Sequence, residues 1–167
     1  MPCKRIFLVG FMCSGKTTFG KWLSKSLGWD FVDVDEEVER EEGISIAEIF
    51  EKKGEGYFRR LEFEKLSFLS NRERVVISTG GGLGANPEAI KLMRSKGLVV
   101  WLKISFEAFF ERCGEDSSRP LLKKGREELL SLFEERAKIY SQAHIALEAE
   151  LSPESIVEEI LRACRDL

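Results

Sequence analysis

The sequence predicts a doubly wound α/β domain, a five-stranded parallel sheet with helices on both faces, and three observations carry that expectation. Short β-rich runs ("RIFLVG", "WDFVDVD", "RVVIST", "LVVWLKI" and "HIALEAE") alternate with longer amphipathic stretches, the order that joins parallel strands through crossover helices. The segments "IFLV" and "LVVWL" are apolar at consecutive rather than alternate positions, as in strands covered on both sides. A chain of 167 residues without a low-complexity tract or linker fits one domain over residues 1–167, and a domain near this size buries roughly 68–70% of its unfolded surface.

The first strand ends at Gly10, and five residues later Gly15, Lys16 and Thr17 open the first helix. The stretch "GFMCSGKT" is therefore G-x-x-x-x-G-K-[ST] in the strand-then-helix setting of a phosphate-binding loop, or P-loop. Average residue frequencies produce the four fixed positions by accident in about one chain in 200 of this length. In such a loop the backbone N–H groups curl around phosphates and the helix amino terminus adds partial positive charge. The nucleotide-binding set read from it is Gly10, Cys13, Ser14, Gly15, Lys16, Thr17 and Thr18, with Lys16 reaching the outer phosphates and Thr17 able to ligate magnesium. ATPases, GTPases, kinases and non-catalytic nucleotide binders share this loop, so it names no reaction by itself.

The second strand ends in "FVDVDEE", where Asp33 and Asp35 stand two apart and project from one side of an extended chain. One site can use both, although the same acidic run also reads as a solvated strand end or helix start. The third strand ends at Ser78 and Thr79 without an acid, and Gly80, Gly81 and Gly82 follow at once. They read as a flexible turn, or as bare backbone that approaches a ligand where a Cβ would clash.

Helix starts are marked by Ser45 with Glu48 three residues on, a capping box, and by Asn86-Pro87 ahead of "EAIKLMRSKG", which Gly97 stops. The stretch "RRLEFEKL" reads as an amphipathic helix with solvent-facing charges. Between two helices lies "ERCGEDSSRPLLKKG", polar, interrupted by Gly114 and Pro120, and carrying Arg112, Arg119, Lys123 and Lys124. It reads as a mobile lid over about residues 112–125, or as a surface loop with incidental charge. All these motifs fall at the carboxyl ends of strands, where open α/β sheets bind ligands, or in connections able to fold over them.

A net charge of -3 and a pI near 5.5 argue against a nucleic-acid surface, which needs clustered Lys and Arg. The first apolar run is far shorter than the roughly 18 residues of a membrane span, and no small-residue cleavage site follows it. A cytoplasmic protein without a membrane segment is expected, and a monomer. Cys3, Cys13, Cys113 and Cys164 are scattered, with His144 the one histidine, so neither zinc ligation nor a disulfide framework is expected. His144 reads as structural. Cys13, beside a helix amino terminus and Lys16, is either a tolerated small residue or a thiol shifted toward thiolate that nucleotide would shield from alkylation.

The combination "GFMCSGKTT", "DVDEEVEREEGISIAEIF", "GEGYFRRLE", "STGGG" and "RPLL", in that order over nearly the whole chain, resembles the shikimate kinases. The resemblance implies a three-layer P-loop kinase fold and transfer of the ATP γ-phosphoryl group to a hydroxyl of shikimate with magnesium. The products would be shikimate 3-phosphate and ADP, within aromatic amino-acid biosynthesis. It implies that Asp35 binds the reacting hydroxyl and positions or accepts its proton, and that Asp33 and Ser78 join Thr17 near the magnesium. Arg59 and Arg136 would meet the substrate carboxylate, with Phe58 beside the ring, Glu62 orienting Arg59, and Gly80, Gly81 and Gly82 against the acceptor. The acceptor-binding helical region would be about residues 35–62. Arg119 would close on the transferred phosphate, with Arg112 and Pro153 near the adenine. Alignment matters more than a strongly shifted pKa in this chemistry.

Two departures from the family stand out. Arg136 is followed by Lys138, Ile139 and Tyr140 where Pro-Leu-Tyr is usual, and "EAELSPES" lacks a basic residue for the adenine. The rival readings are a gluconate or nucleoside-monophosphate kinase and a non-catalytic nucleotide-binding module. The last should have lost acceptor-site residues, whereas Lys16, Thr17, Asp33, Asp35, Arg59 and Arg119 all remain.

Overall fold

The structure, a computed structural model, describes residues 3–113, 125–148 and 151–167. Five strands, β1 (Arg5–Val9), β2 (Asp30–Asp33), β3 (Val75–Ser78), β4 (Leu98–Lys103) and β5 (Ile145–Glu148), form one sheet in the order β2-β3-β1-β4-β5. Every pairing is parallel. The five sequence runs are thus the five strands, each separated from the next by helix as the crossover geometry requires.

Central β1 explains the layers. Its side chains alternate in direction: Ile6 and Leu8 enter one core with Leu23, Val76, Val100 and Ile160, while Phe7 and Val9 enter the other with Ile77, Val99, Leu66 and Phe109. The first core is closed by α1 (Lys16–Leu27) and α9 (Pro153–Arg165). The second is closed by α4 (Glu55–Leu69), α6 (Pro87–Lys96), α7 (Phe106–Cys113) and α8 (Arg126–Tyr140). Three further helices, α2 (Val34–Glu42), α3 (Ile46–Lys53) and α5 (Gly81–Gly84), complete the acceptor side.

The capping residues act as the sequence predicts. Ser45 Oγ accepts the Glu48 N–H at 3.2 Å, and Asn86 caps α6 with Pro87 in its first turn and Gly97 at its end. His144 is structural: its Nδ1 accepts the Val99 N–H at 2.9 Å, with burial and then Arg94 holding the ring below its ordinary pKa.

Two expectations are corrected. The "DVD" segment is not extended throughout, because β2 stops at Asp33 and Val34 begins α2. Asp33 caps that helix by accepting the N–H groups of Asp35 and Glu36, the competing use of a short acidic side chain that strand periodicity ignores. The cysteines are also paired, Cys3 with Cys164 and Cys13 with Cys113, and none is free. Sequence separations of 161 and 100 residues hide both contacts. Adjacent parallel strands β1 and β4 set the P-loop beside the end of α7, so the reactive-thiol reading of Cys13 does not apply to this form.

Candidate active site

Functional side chains gather beyond the carboxyl ends of the strands, in two halves. On the first half, β1 runs into a loop whose Gly10, Cys13 and Gly15 have φ of 152°, 63° and 91°. Helix α1 then starts at Lys16 without a side-chain cap. Its first N–H groups are left for an anion, which their partial positive charge favours. A side chain at Gly10 would lie 2.6 Å from the Leu102 carbonyl, so this position is glycine for packing as well as for φ. Lys16 folds over the loop, donating to the carbonyls of Gly10 at 2.6 Å and Phe11 at 3.0 Å and toward Ser14 Oγ at 3.5 Å. Next to it lies a cavity of about 390 Å³ lined by Ser14, Gly15, Thr18, Trp22, Arg112 and Pro153 among others. The expected nucleotide residues that the structure describes are therefore brought together. Arg119, and most of the expected lid, lie outside the described residues.

Thr17 joins this loop to the acids. Its Oγ1 donates to Asp33 Oδ2 at 3.1 Å, while Asp33 Oδ1 is taken by the Asp35 N–H at 2.9 Å. Ser78 stands in register with Asp33 on the neighbouring strand, so both side chains leave the same face of the sheet. Among the described residues no three His, Cys, Asp or Glu gather as a metal cage. A hydroxyl and one carboxylate oxygen fit magnesium, a hard cation that takes few protein ligands and keeps waters and phosphates.

The acceptor half is a cavity of about 570 Å³ lined by Met12, Asp35, Glu39, Phe58, Arg59, Glu62, Gly80, Gly81, Gly82 and Arg136, with α3 residues closing one wall. Glu62, 1% exposed, accepts from Arg59 Nη1 at 2.8 Å, so a buried carboxylate fixes the guanidinium. Arg59 also lies over the rings of Phe58 and Phe50, 5.4 and 5.9 Å from their centroids. Arg136 is 8% exposed and forms no ion pair among the described residues. Burial works against its charge, with Arg59 adding to the effect against Tyr140 and Glu62. A guanidinium stays protonated in proteins, so an incoming carboxylate is its natural partner.

Asp35 faces this pair. Its Oδ1 is buried without a hydrogen-bond partner, as is Glu62 Oε2. Burial first, then Glu62 and Asp33, push the Asp35 carboxyl from 3.8 up to about 7, against Lys16 and Arg59. This group is both held and strongly shifted, where the sequence reading gave weight to alignment alone. Burial likewise raises Glu62 above the usual carboxylate range.

The three glycines line the acceptor cavity, and a second constraint acts on them. A Cβ at Gly80 would come within 2.7 Å of Asp35 Oδ2, one at Gly81 within 3.0 Å of Arg136 Nη1, and one at Gly82 would overlap the Arg59 guanidinium. They leave room for the site's own charged groups.

Sequence reasoning missed Glu39, Phe50, Met12 and Tyr140. Glu39 follows Asp35 by four residues on α2, and Tyr140 follows Arg136 by four on α8, so helical spacing could have found both. Glu39 Oε2 accepts the Ile46 N–H at 3.0 Å, tying α2 to α3 at the cavity wall. Tyr140, 1% exposed, donates to the Gly81 carbonyl at 2.5 Å, and burial keeps its hydroxyl protonated. Met12 occupies a position that the P-loop pattern leaves open, and no sequence signal marks it.

The comparisons agree with this geometry. The family model described as shikimate kinase matches residues 12–165. The chain is 60% identical to the shikimate kinase of Aquifex aeolicus over 94% of each chain. It is 51% identical to that of Persephonella marina, over 97% of this chain and 99% of the relative. The solved shikimate kinase of Acinetobacter baumannii in complex with shikimate superposes with a TM-score of 0.89, at 34% identity, covering 98% of this chain and 94% of that one.

Proposed function

The chain belongs to the shikimate kinase family and transfers the γ-phosphoryl group of ATP to shikimate, giving shikimate 3-phosphate and ADP, and from that premise we propose a role for each group of its site. The observation that carries the assignment is the 570 Å³ cavity in which Arg59 and Arg136 stand opposite a buried carboxyl, Asp35. An acceptor with one carboxylate and several hydroxyls fits that polarity.

The carboxylate of shikimate lies between Arg59 and Arg136, whose planar forks take it in bidentate fashion. Glu62 holds Arg59 in place, and Phe58 packs beside the ring. The reacting hydroxyl points to Asp35, which takes its proton as the oxygen attacks the γ-phosphorus. A group near pH 7 matches that task, since a general base works best with a pKa close to the working pH.

On the nucleotide half, the α1 amino terminus and the backbone of Gly10–Thr18 bind the phosphates, and Lys16 turns from the Gly10 and Phe11 carbonyls to the outer phosphates. The adenine enters the cavity of Arg112 and Pro153. Arg119 closes on the transferred phosphate. Thr17, Asp33 and Ser78 are the residues that would hold magnesium, which when bound would supply positive charge against the phosphates.

The protein works as a monomer, one P-loop kinase domain over residues 1–167, in the cytoplasm, where ATP is available. Among the described residues no helix is long and apolar enough to cross a membrane. A coupled ADP-release assay with ATP and magnesium tests the reading against shikimate, gluconate and nucleoside monophosphates. Shikimate alone should stimulate turnover, and removing magnesium with a chelator should abolish it. Equal rates with the other acceptors would reject the role given to the two arginines.

A further inference from the structure

We propose that the Cys13–Cys113 disulfide is a positioning cross-link of the nucleotide site, so that the oxidised enzyme binds nucleotide more tightly than the reduced enzyme while shikimate binding is the same in both. The proposal rests on assigning the 390 Å³ cavity to the nucleotide.

The geometry is specific. Cys13 lies inside the P-loop, between Met12 of the acceptor cavity and Ser14 of the nucleotide cavity. Cys113 is the last residue of α7, and its neighbour Arg112 lines the nucleotide cavity. The bond, with Cα atoms 6.5 Å apart, therefore joins the element that holds phosphates to the helix that carries a lining residue of the base pocket. ATP must touch both.

A second observation concerns the backbone. Cys13 is one of two non-glycine described residues with positive φ, at 63°, a left-handed conformation that is unfavourable for an L-residue. The loop needs this turn to aim its N–H groups, and the cross-link grips the residue that bears the cost. The other cystine, Cys3–Cys164, lies at the opposite end of the sheet beneath β1 and α9, so it staples the chain ends and leaves the nucleotide site alone.

Reduction by a dithiol is a balanced exchange. One thiolate of the reductant attacks a sulfur of the cystine and expels the other cysteine as thiolate. Its second thiol then displaces the first cysteine, leaving Cys13 and Cys113 as two protonated thiols and the reductant as a cyclic disulfide, a two-electron transfer. The freed loop keeps its sequence but must be ordered by the nucleotide on binding.

The test uses full-length Cys3→Ser/Cys164→Ser enzyme, so that the cystine in question is the only one, with dithiothreitol as reductant and thiol counting by mass spectrometry. ADP and shikimate are titrated separately by calorimetry. Reduction should weaken ADP about tenfold, the factor for ordering roughly one further residue of backbone, and leave the shikimate Kd within about twofold. Cys113→Ser should match the reduced form in the absence of reductant, since it keeps the Cys13 side chain but cannot cross-link. An ADP Kd unchanged when both thiols are counted free would overturn the inference, as would parallel weakening of shikimate, which marks general loosening. Free thiols at both positions in air-oxidised enzyme would overturn it too. If ADP binds in neither redox form, the nucleotide assignment itself fails and takes the inference with it.

Discussion

The acceptor cavity and the nucleotide loop meet at Met12, yet they are built in opposite ways. The acceptor half is made of ionisable side chains from α2, α4 and α8 set against the glycine turn after β3. Part of that half is locked before any ligand arrives, Arg59 on Glu62 and Tyr140 on Gly81 with glycines that leave their space clear, while Asp35 Oδ1 is buried without a partner. The nucleotide half is mostly backbone, one continuous loop with a helix start, and Lys16 rests on the loop's own carbonyls. Buried charge demands partners fixed in advance, whereas bare N–H groups cost little to leave facing water. The difference teaches that the acceptor half stores electrostatic cost in the folded state, and the nucleotide half does not.

Breaking the acceptor half at its reacting group should give the largest effect. Asp35→Asn should lower kcat by roughly 10²–10⁴, as for a lost acid–base group, with ADP affinity within a few-fold by calorimetry. The same variant should be more stable. Folding lifts the Asp35 carboxyl from 3.8 to about 7, so its contribution is whole below the lower value and is lost as pH rises through the upper one. Asn avoids that loss, worth on the order of a few kcal/mol. Its melting temperature should pull ahead of the parent's between those two pH values and stay ahead above them. Equal melting curves at pH 8 would show that the carboxyl is not held at electrostatic cost. In the parent enzyme kcat/KM for shikimate should fall as pH drops below about 7, where the Asp35 base is protonated, a limb absent from Asp35→Asn.

Lys16→Ala breaks the other half and should lower kcat by about 10²–10³, the scale of a lost transition-state charge contact. Shikimate binding measured without nucleotide should hardly change. Loss of shikimate affinity would mean that the halves are not separable.

Arg59→Lys keeps the charge and removes the fork. The KM for shikimate should rise about 10- to 100-fold, the worth of charge-assisted hydrogen bonds at a buried site, with the KM for ATP unchanged. An unmoved shikimate KM would assign the carboxylate to Arg136 alone.

Tyr140→Phe is the finest probe. Loss of one hydrogen bond to the Gly81 carbonyl should raise the shikimate KM about threefold to tenfold, with kcat nearly constant, because the hydroxyl positions Arg136 and the glycine turn without touching the reacting atoms. A fall in kcat at constant KM would move Tyr140 into the chemistry.

What the sequence determined by itself is what depends on neighbours in the chain. The P-loop, the strand runs, the caps at Ser45 and Asn86 and the amphipathic helices are set by spacing and local hydrogen bonding, and they stand in the structure where the sequence puts them. Arg59 and Arg136 were legible as site residues through family likeness, since each alone reads as a charge on a solvated helix face. Only the tertiary structure decided the rest. It brought Cys13 to Cys113 across 100 residues, gave Asp33 to a helix cap, and desolvated Asp35 beside Glu62 and Asp33 so that its carboxyl rises to about 7. It also made three glycines of the cavity wall the clearance for Asp35, Arg136 and Arg59. Contacts, burial and the electrostatics they create belong to pairs of residues remote in the chain, and a periodicity read along one dimension carries no information about which remote pairs will meet.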